Sequence, residues 1–127
     1  KGKDVTIVSF GKIMKVALEA AEQLAKDGIE AEVIDLRTVR PIDYPCIIES
    51  VKKTNRLVIV EEAWPLASIS SEITYAVQKD AFDFMDAPVK RITCKDTPLA
   101  YAPAFVEEWL PNVADTVAAV KSVLYVK

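Results

Sequence analysis

Histidine is missing from this chain altogether, and that removes the commonest general base near neutral pH. Ser/His/Asp and Cys/His catalytic arrangements are excluded with it. The two cysteines, Cys46 and Cys94, stand far apart and in no CxxC pair. A zinc site needs about four N/S ligands, so none is assembled here. Both thiols are expected to be small buried or half-buried residues of a reducing compartment. Glycine is scarce as well, with three in the whole chain, and no G-x-G-x-x-G turn or P-loop occurs. The first glycine turn, Ser9-Phe10-Gly11-Lys12-Ile13-Met14, holds one glycine where dinucleotide binding needs several.

Other absences concern partners. A net charge of -3 argues against nucleic acid, which is bound through a basic face. No apolar run approaches the roughly 18 residues that cross a bilayer, and no basic-then-apolar leader opens the chain. The reading is a soluble, intracellular protein with no membrane contact. Its 127 residues suffice for one domain with a hydrophobic core, spanning residues 1–127. The chain starts Lys1-Gly2-Lys3-Asp4 without Met and enters a strand almost at once, as a fragment of a longer protein would.

What is present is a strict alternation of strand and helix patterns. Val5–Phe10 is a short β-rich run of the kind buried on both faces. From Lys12 to Lys26, Ile13, Val16, Ala17, Ala20, Ala21 and Leu24 recur at helical spacing, and Gly28 is the expected stop. Glu32–Leu36 predicts a second strand, Asp43 a helix cap with Pro45 in the first turn, and Leu57–Val60 a third strand. A helix over Ile69–Lys79, a strand over Val89–Thr93, a short helix around Phe105–Leu110 and a last helix capped by Asn112 complete the pattern. Strands alternating with helices of this length predict a three-layer α/β/α, doubly wound, mostly parallel sheet. Ligand crevices of such sheets open where the winding reverses, here around Gly11, Lys12, Glu61 and Glu62.

Several side chains carry chemistry without forming a catalytic set. Glu61 and Glu62 could act as an acid/base pair, or one could pair structurally with Arg37 or Arg40 of the neighbouring loop. Arg37 and Arg40 could also hold a small anion. Trp64, Tyr101, Phe105 and Trp109 lie outside the regular sheet, where aromatics serve subunit contacts or packing within the domain. Asp80, Asp83 and Asp86 make an acidic rhythm without any metal motif. Residue pattern alone leaves enzyme and interaction module unseparated.

Longer motifs bring in a family. Glu32-Val33-Ile34-Asp35-Leu36-Arg37-Thr38-Val39-Arg40-Pro41-Ile42-Asp43 resembles the corresponding segment of pyruvate dehydrogenase β subunits. So do Val51–Val58, Glu61-Glu62-Ala63-Trp64-Pro65, Ala81–Pro88 and Asp96–Tyr101, in order and spacing, over essentially the whole chain. Branched-chain 2-oxo acid and acetoin dehydrogenase β subunits share the LRT and DAP-like motifs, so the 2-oxo acid stays open. The resemblance implies a transketolase C-terminal-like domain, with an antiparallel edge strand ahead of Lys1 and therefore an open edge at the second strand. It also implies that thiamine diphosphate, Mg²⁺ and the catalytic groups lie elsewhere in the whole enzyme, and that this chain supplies no catalytic, cofactor or metal residue. What remains for the domain is assembly, with the α subunit and a second β subunit in an α2β2 tetramer, and docking of the subunit-binding domain of the dihydrolipoyl acyltransferase. Asp86, in Met85-Asp86-Ala87-Pro88, and the C-terminal Val126 and Lys127 are the docking residues it points to. Such an enzyme works in the cytoplasm of bacteria or the mitochondrial matrix of eukaryotes. Ala63, Ser68 and Ser70 depart from the glycines of relatives in the loop after the third strand, which weakens any glycine-lined anion nest there.

Overall fold

A computed structural model describes residues 1–127. Four strands, β1 (Val5–Ser9), β2 (Ala31–Asp35), β3 (Leu57–Val60) and β4 (Lys90–Ile92), form one sheet in the order β2-β1-β3-β4. All three pairings are parallel, with Ile7 opposite Val33 on one side and Val58 on the other. Five helices cover it: α1 (Met14–Lys26), α2 (Tyr44–Thr54), α3 (Ile69–Ala81), α4 (Pro103–Trp109) and α5 (Val113–Val123). The doubly wound parallel reading holds. No antiparallel strand pairs in this sheet, and β2 is an edge strand.

Period-two alternation divides the core between the two faces. Val5, Ile7, Val58 and Val60 point to one side and pack with Ala17, Leu24, Val120 and Val123 of α1 and α5. Val8, Leu57 and Ile59 point to the other, against Ile47, Val51, Ile73 and Val77 of α2 and α3. Each fully buried Val, Leu or Ile here contributes about 1.5–3 kcal/mol. Local signals act as the residue types dictate. Asp43 Oδ1 accepts the Cys46 N–H at 3.2 Å, Asn112 Oδ1 accepts that of Asp115 at 2.8 Å, and Gly28 takes φ 79°.

Most element boundaries differ by one to two residues: β1 ends at Ser9, β2 at Asp35, and β4 is trimmed to Lys90–Ile92. Residues Gly11–Ile13 form a 3₁₀ turn, so α1 starts later than its apolar pattern does. Strand β2 begins one residue earlier, at Ala31, because its register is set by β1. Helix α3 continues to Ala81, and a second 3₁₀ turn follows at Phe82–Phe84. Pro103 opens α4 ahead of the expected start, since a proline's missing N–H costs nothing at N1.

One polar layer interrupts the core beneath α2. Buried Thr6 on β1 shares hydrogen bonds with the hydroxyls of Ser50 and Thr54, both at 2.7 Å, and Ser50 donates to Glu32 at 2.6 Å. Lys53 pairs with the same carboxylate. The Lys53 bond first, and then that of Ser50, hold Glu32 below its usual carboxylate pKa of 4.5. The folded pKa lies under the unfolded one, so this stabilisation is complete above about pH 4.5 and is lost as pH falls through the lowered value. Glu32→Gln is expected to flatten the acid limb of the stability curve between roughly pH 5 and pH 3, as read by urea unfolding at fixed pH.

Candidate docking site and the strand-end crevice

At the N-terminal ends of the strands, the turn between α2 and β3 grips two distant segments. Asn55 ends α2 in the left-handed conformation, φ 64°, and its carbonyl accepts the N–H of Asp86 at 2.9 Å. Its side-chain amide donates to Phe84 O at 2.7 Å. Arg56 donates from Nε to Val123 O at 2.9 Å, at the C-terminal end of α5, where a cation is favoured by the helix dipole. Arg56 Nη1 also lies 3.7 Å from Asp86 Oδ2. Tyr125 completes the corner, its hydroxyl donating to Asp86 O at 3.5 Å. The Asp86 side chain is nevertheless 57% exposed, so its carboxylate faces water from a backbone that is held in place.

The C-terminal tail reaches the same corner. Tyr125 adopts φ 57°, and Val126 donates its N–H to Lys121 O at 3.1 Å. Val126 and Lys127 are exposed beyond it, with neither side chain bonded to Asp86. The three residues expected to dock a partner thus sit at one end of the sheet. Asn55, Arg56 and Tyr125 were not foreseen. An asparagine following a helix pattern is a recognisable left-handed cap, whereas nothing local marks Arg56 or Tyr125.

At the opposite end of the strands the winding reverses, and none of the main cavities of the domain is lined by Gly11, Lys12, Glu61 or Glu62. Glu61 is fully buried there, against expectation, and neither Arg37 nor Arg40 pairs with it or with Glu62. Both arginines are exposed on the loop after β2, whose Arg40–Pro41 bond is cis. Glu61 instead accepts the backbone N–H of Ser70 at 3.2 Å and the Ser70 hydroxyl, in the first turn of α3. Ser68 and Ser70 share a hydroxyl contact of 2.9 Å, and Arg91 donates to Pro65 O at 2.7 Å and Ser71 Oγ at 3.0 Å. The serines therefore fill the rim with their own hydrogen bonds. Glu62 and Lys12 are exposed and Gly11 takes φ 70°. No group of three or more His, Cys, Asp or Glu is placed to hold a metal ion. A diphosphate with Mg²⁺ does not fit this donor set, whose buried carboxylate and nearest guanidinium are already engaged.

The cysteines part company. Cys94 is buried, and burial, followed by the nearby Glu62 and Glu61 charges, pushes its thiol up to about 11. Cys46 is exposed, contrary to the expectation for both, because it lies in the first turn of α2 over the open groove beside edge strand β2. Its pKa is raised too, first by partial burial and then by Asp43, Glu32 and Glu49. Neither thiol is tuned to be a nucleophile.

Comparison with known proteins agrees with this architecture. The model for the transketolase C-terminal domain matches residues 1–116. The chain belongs to that family. This transketolase C-terminal domain is 53% identical over 124 residues to the pyruvate dehydrogenase E1 component subunit beta of Rhizobium meliloti, covering 98% of the chain and 27% of that protein. It is 50% identical to the subunit of the same name in Rickettsia felis, covering 98% of the chain and 38% of that protein. A mitochondrial E1 subunit beta-1 of Oryza sativa is 48% identical, with 98% and 33% covered. The domain thus spans about a third of the length of these relatives. A solved structure described as an inactive β4 tetramer of a split-gene transketolase superposes with a TM-score of 0.84 at 32% identity, over all of this chain and 40% of that one. The 2-oxoglutarate:ferredoxin oxidoreductase of Magnetococcus marinus shares the fold, with a TM-score of 0.64 at 14% identity over 98% of this chain and 18% of that one.

Proposed function

We propose that this domain is the assembly and partner-docking part of a pyruvate dehydrogenase β subunit. In the whole enzyme, an α2β2 tetramer, thiamine diphosphate and Mg²⁺ bound outside this domain supply the carbanion chemistry that decarboxylates pyruvate, and the acetyl group passes to the lipoyl arm of the acyltransferase. This domain contributes two contact faces. One is the corner of Asp86, Val126 and Lys127, which receives the basic subunit-binding domain of the acyltransferase. The other is the aromatic face at the C-terminal ends of the strands, which meets neighbouring subunits or the rest of its own. The relatives of about 50% identity carry the pyruvate-specific name, which favours that substrate over branched-chain 2-oxo acids and acetoin. They include bacterial and mitochondrial proteins, in keeping with a cytoplasmic or matrix location, and no helix is long and apolar enough to cross a membrane.

The observation that carries the docking reading is the Asp86 carboxylate, held by its backbone and still exposed. A carboxylate fixed in advance pairs with a partner cation at little further entropic cost. Exposure and the nearby Arg56 temper the gain, so a rim-type ion pair worth about 1 kcal/mol is expected. In the assembled tetramer, Asp86→Asn should weaken binding of the subunit-binding domain about fivefold and shallow its salt dependence. Unchanged affinity at both low and high salt, measured by calorimetry, would overturn the reading.

A further inference from the structure

Beside Asp86 runs an apolar groove of about 500 Å³, between α3 and the segment Phe82–Val89. Val77, Met85 and Val89 line it and belong to the core that packs under α2 and α3, so that part is rigid. Phe82 and Pro88 form exposed parts of its wall, Phe82 with 68% of its surface open to water. Asp86 is the one charged residue in the lining. Around it, residues 80–89 carry three exposed carboxylates, Asp80, Asp83 and Asp86, and no cation. The neighbouring cations are Lys79 on the last turn of α3, Lys52, Arg56 and exposed Lys90, which lines the adjoining cavity on the α5 side of Ala87 and Pro88 and not this groove. Lys52 is 5.2 Å from the centre of the Phe84 ring, and Arg56 is held by Val123 O.

We propose that this groove takes an apolar side chain from the same basic segment whose cation pairs with Asp86. Charge complementarity selects the occupant. An acidic rim beside an apolar slot fits a leucine, isoleucine or methionine next to lysine or arginine, and disfavours an acidic peptide or a second copy presenting the same aspartates. The ion pair sets orientation and on-rate, and the buried side chain sets residence time, because a desolvated anchor acts mainly on dissociation. This inference rests on the docking reading above, with the acyltransferase subunit-binding domain as the partner.

The test uses the assembled α2β2 enzyme and the isolated subunit-binding domain of its acyltransferase as the probe. Gln78→Trp fills the groove from an exposed position, and Phe82→Ser removes part of its wall without entering the core. Each is expected to raise the dissociation rate about tenfold while leaving the salt dependence as in the native enzyme. Asp86→Asn, by contrast, should lower the salt dependence. Native-like dissociation from both groove variants, with Asp86→Asn still weakened, would overturn the groove and leave the docking reading standing. No effect from any of the three would sink both. Loss of the tetramer in the groove variants, seen by sedimentation, would make the groove a subunit contact and overturn the proposal.

Discussion

Glu61→Ala is expected to destabilise the chain by about 3 kcal/mol, more than any surface substitution in it. The side chain is fully buried at the end of β3 and serves as acceptor for two donors of Ser70, its N–H and its hydroxyl. Both donors belong to the first turn of α3, where orphan N–H groups and the positive end of the helix dipole favour a carboxylate. Truncation leaves the Ser70 N–H without a partner in a buried site and opens a cavity beneath it, while the Ser70 hydroxyl keeps its contact with Ser68. Glu61→Gln keeps the shape and one acceptor oxygen and should cost about 1 kcal/mol. Ser70→Ala removes one donor, and the double variant should show a coupling of about 1 kcal/mol or more, since the two groups share one bond. Urea unfolding of the four proteins checks this. Additive losses within about 0.3 kcal/mol would mean that the contact does not hold α3 to the sheet.

That site also marks the limit of what could be read from residues alone. Val5–Ser9 and Leu57–Val60 were legible as central strands because a strand buried on both faces is a continuous apolar run. The helix caps Asp43 and Asn112 were legible because each acts within three residues of itself. Glu61 was not, since its partner is chosen by where the first turn of α3 lands after the loop 62–68, and sequence neighbours suggested arginines instead. At Ala67, φ 52° turns the chain into that helix without a glycine to announce it. The docking corner was half legible. Asp86 stood out through its motif, but Arg56 and Tyr125 meet it across 30 and 39 residues, a proximity set by the sheet and by α5. Edge strands blurred for a related reason: β4 has three residues and its boundaries follow its pairing with β3, not an apolar pattern.

The two ends of the sheet differ in how their exposed surface is built. At the N-terminal end a turn carbonyl and a tyrosine hydroxyl hold the Asp86 backbone and a guanidinium stands beside its carboxylate, a polar arrangement suited to a reversible, salt-sensitive contact. At the C-terminal end, among exposed charged groups, apolar and aromatic side chains cluster on two segments that are tied together. Trp64 and Trp109 both donate from their indole N–H to Thr97 O, at 3.0 and 2.9 Å. Cys94 N–H donates to Ala63 O at 3.0 Å, and Lys95 N–H to Trp109 O at 3.1 Å. A surface held this way loses little conformational freedom when covered, as a permanent contact requires.

Tyr101→Ala is the substitution expected to act most strongly on assembly. Tyr101 is 99% exposed, Leu66 85%, and Phe105, Trp64 and Leu99 each more than half, Phe105 on α4 and the others on the loops beyond β3 and β4. Apolar groups gathered on such loops signal a covered surface in the full protein. Tyrosine and tryptophan at the centre of an interface commonly account for about 2 kcal/mol or more each. Under the assembly reading, Tyr101→Ala should weaken association of the subunits by about 2 kcal/mol, roughly 30-fold in dissociation constant. The stability of the domain itself should shift by less than about 0.5 kcal/mol, because an exposed side chain outside the core gives up almost nothing when truncated. Sedimentation equilibrium of the full β subunit with its partner, set beside denaturant unfolding, separates the two effects. An unchanged dissociation constant would remove this face from the assembly, and a large fall in domain stability would show that Tyr101 acts within its own fold.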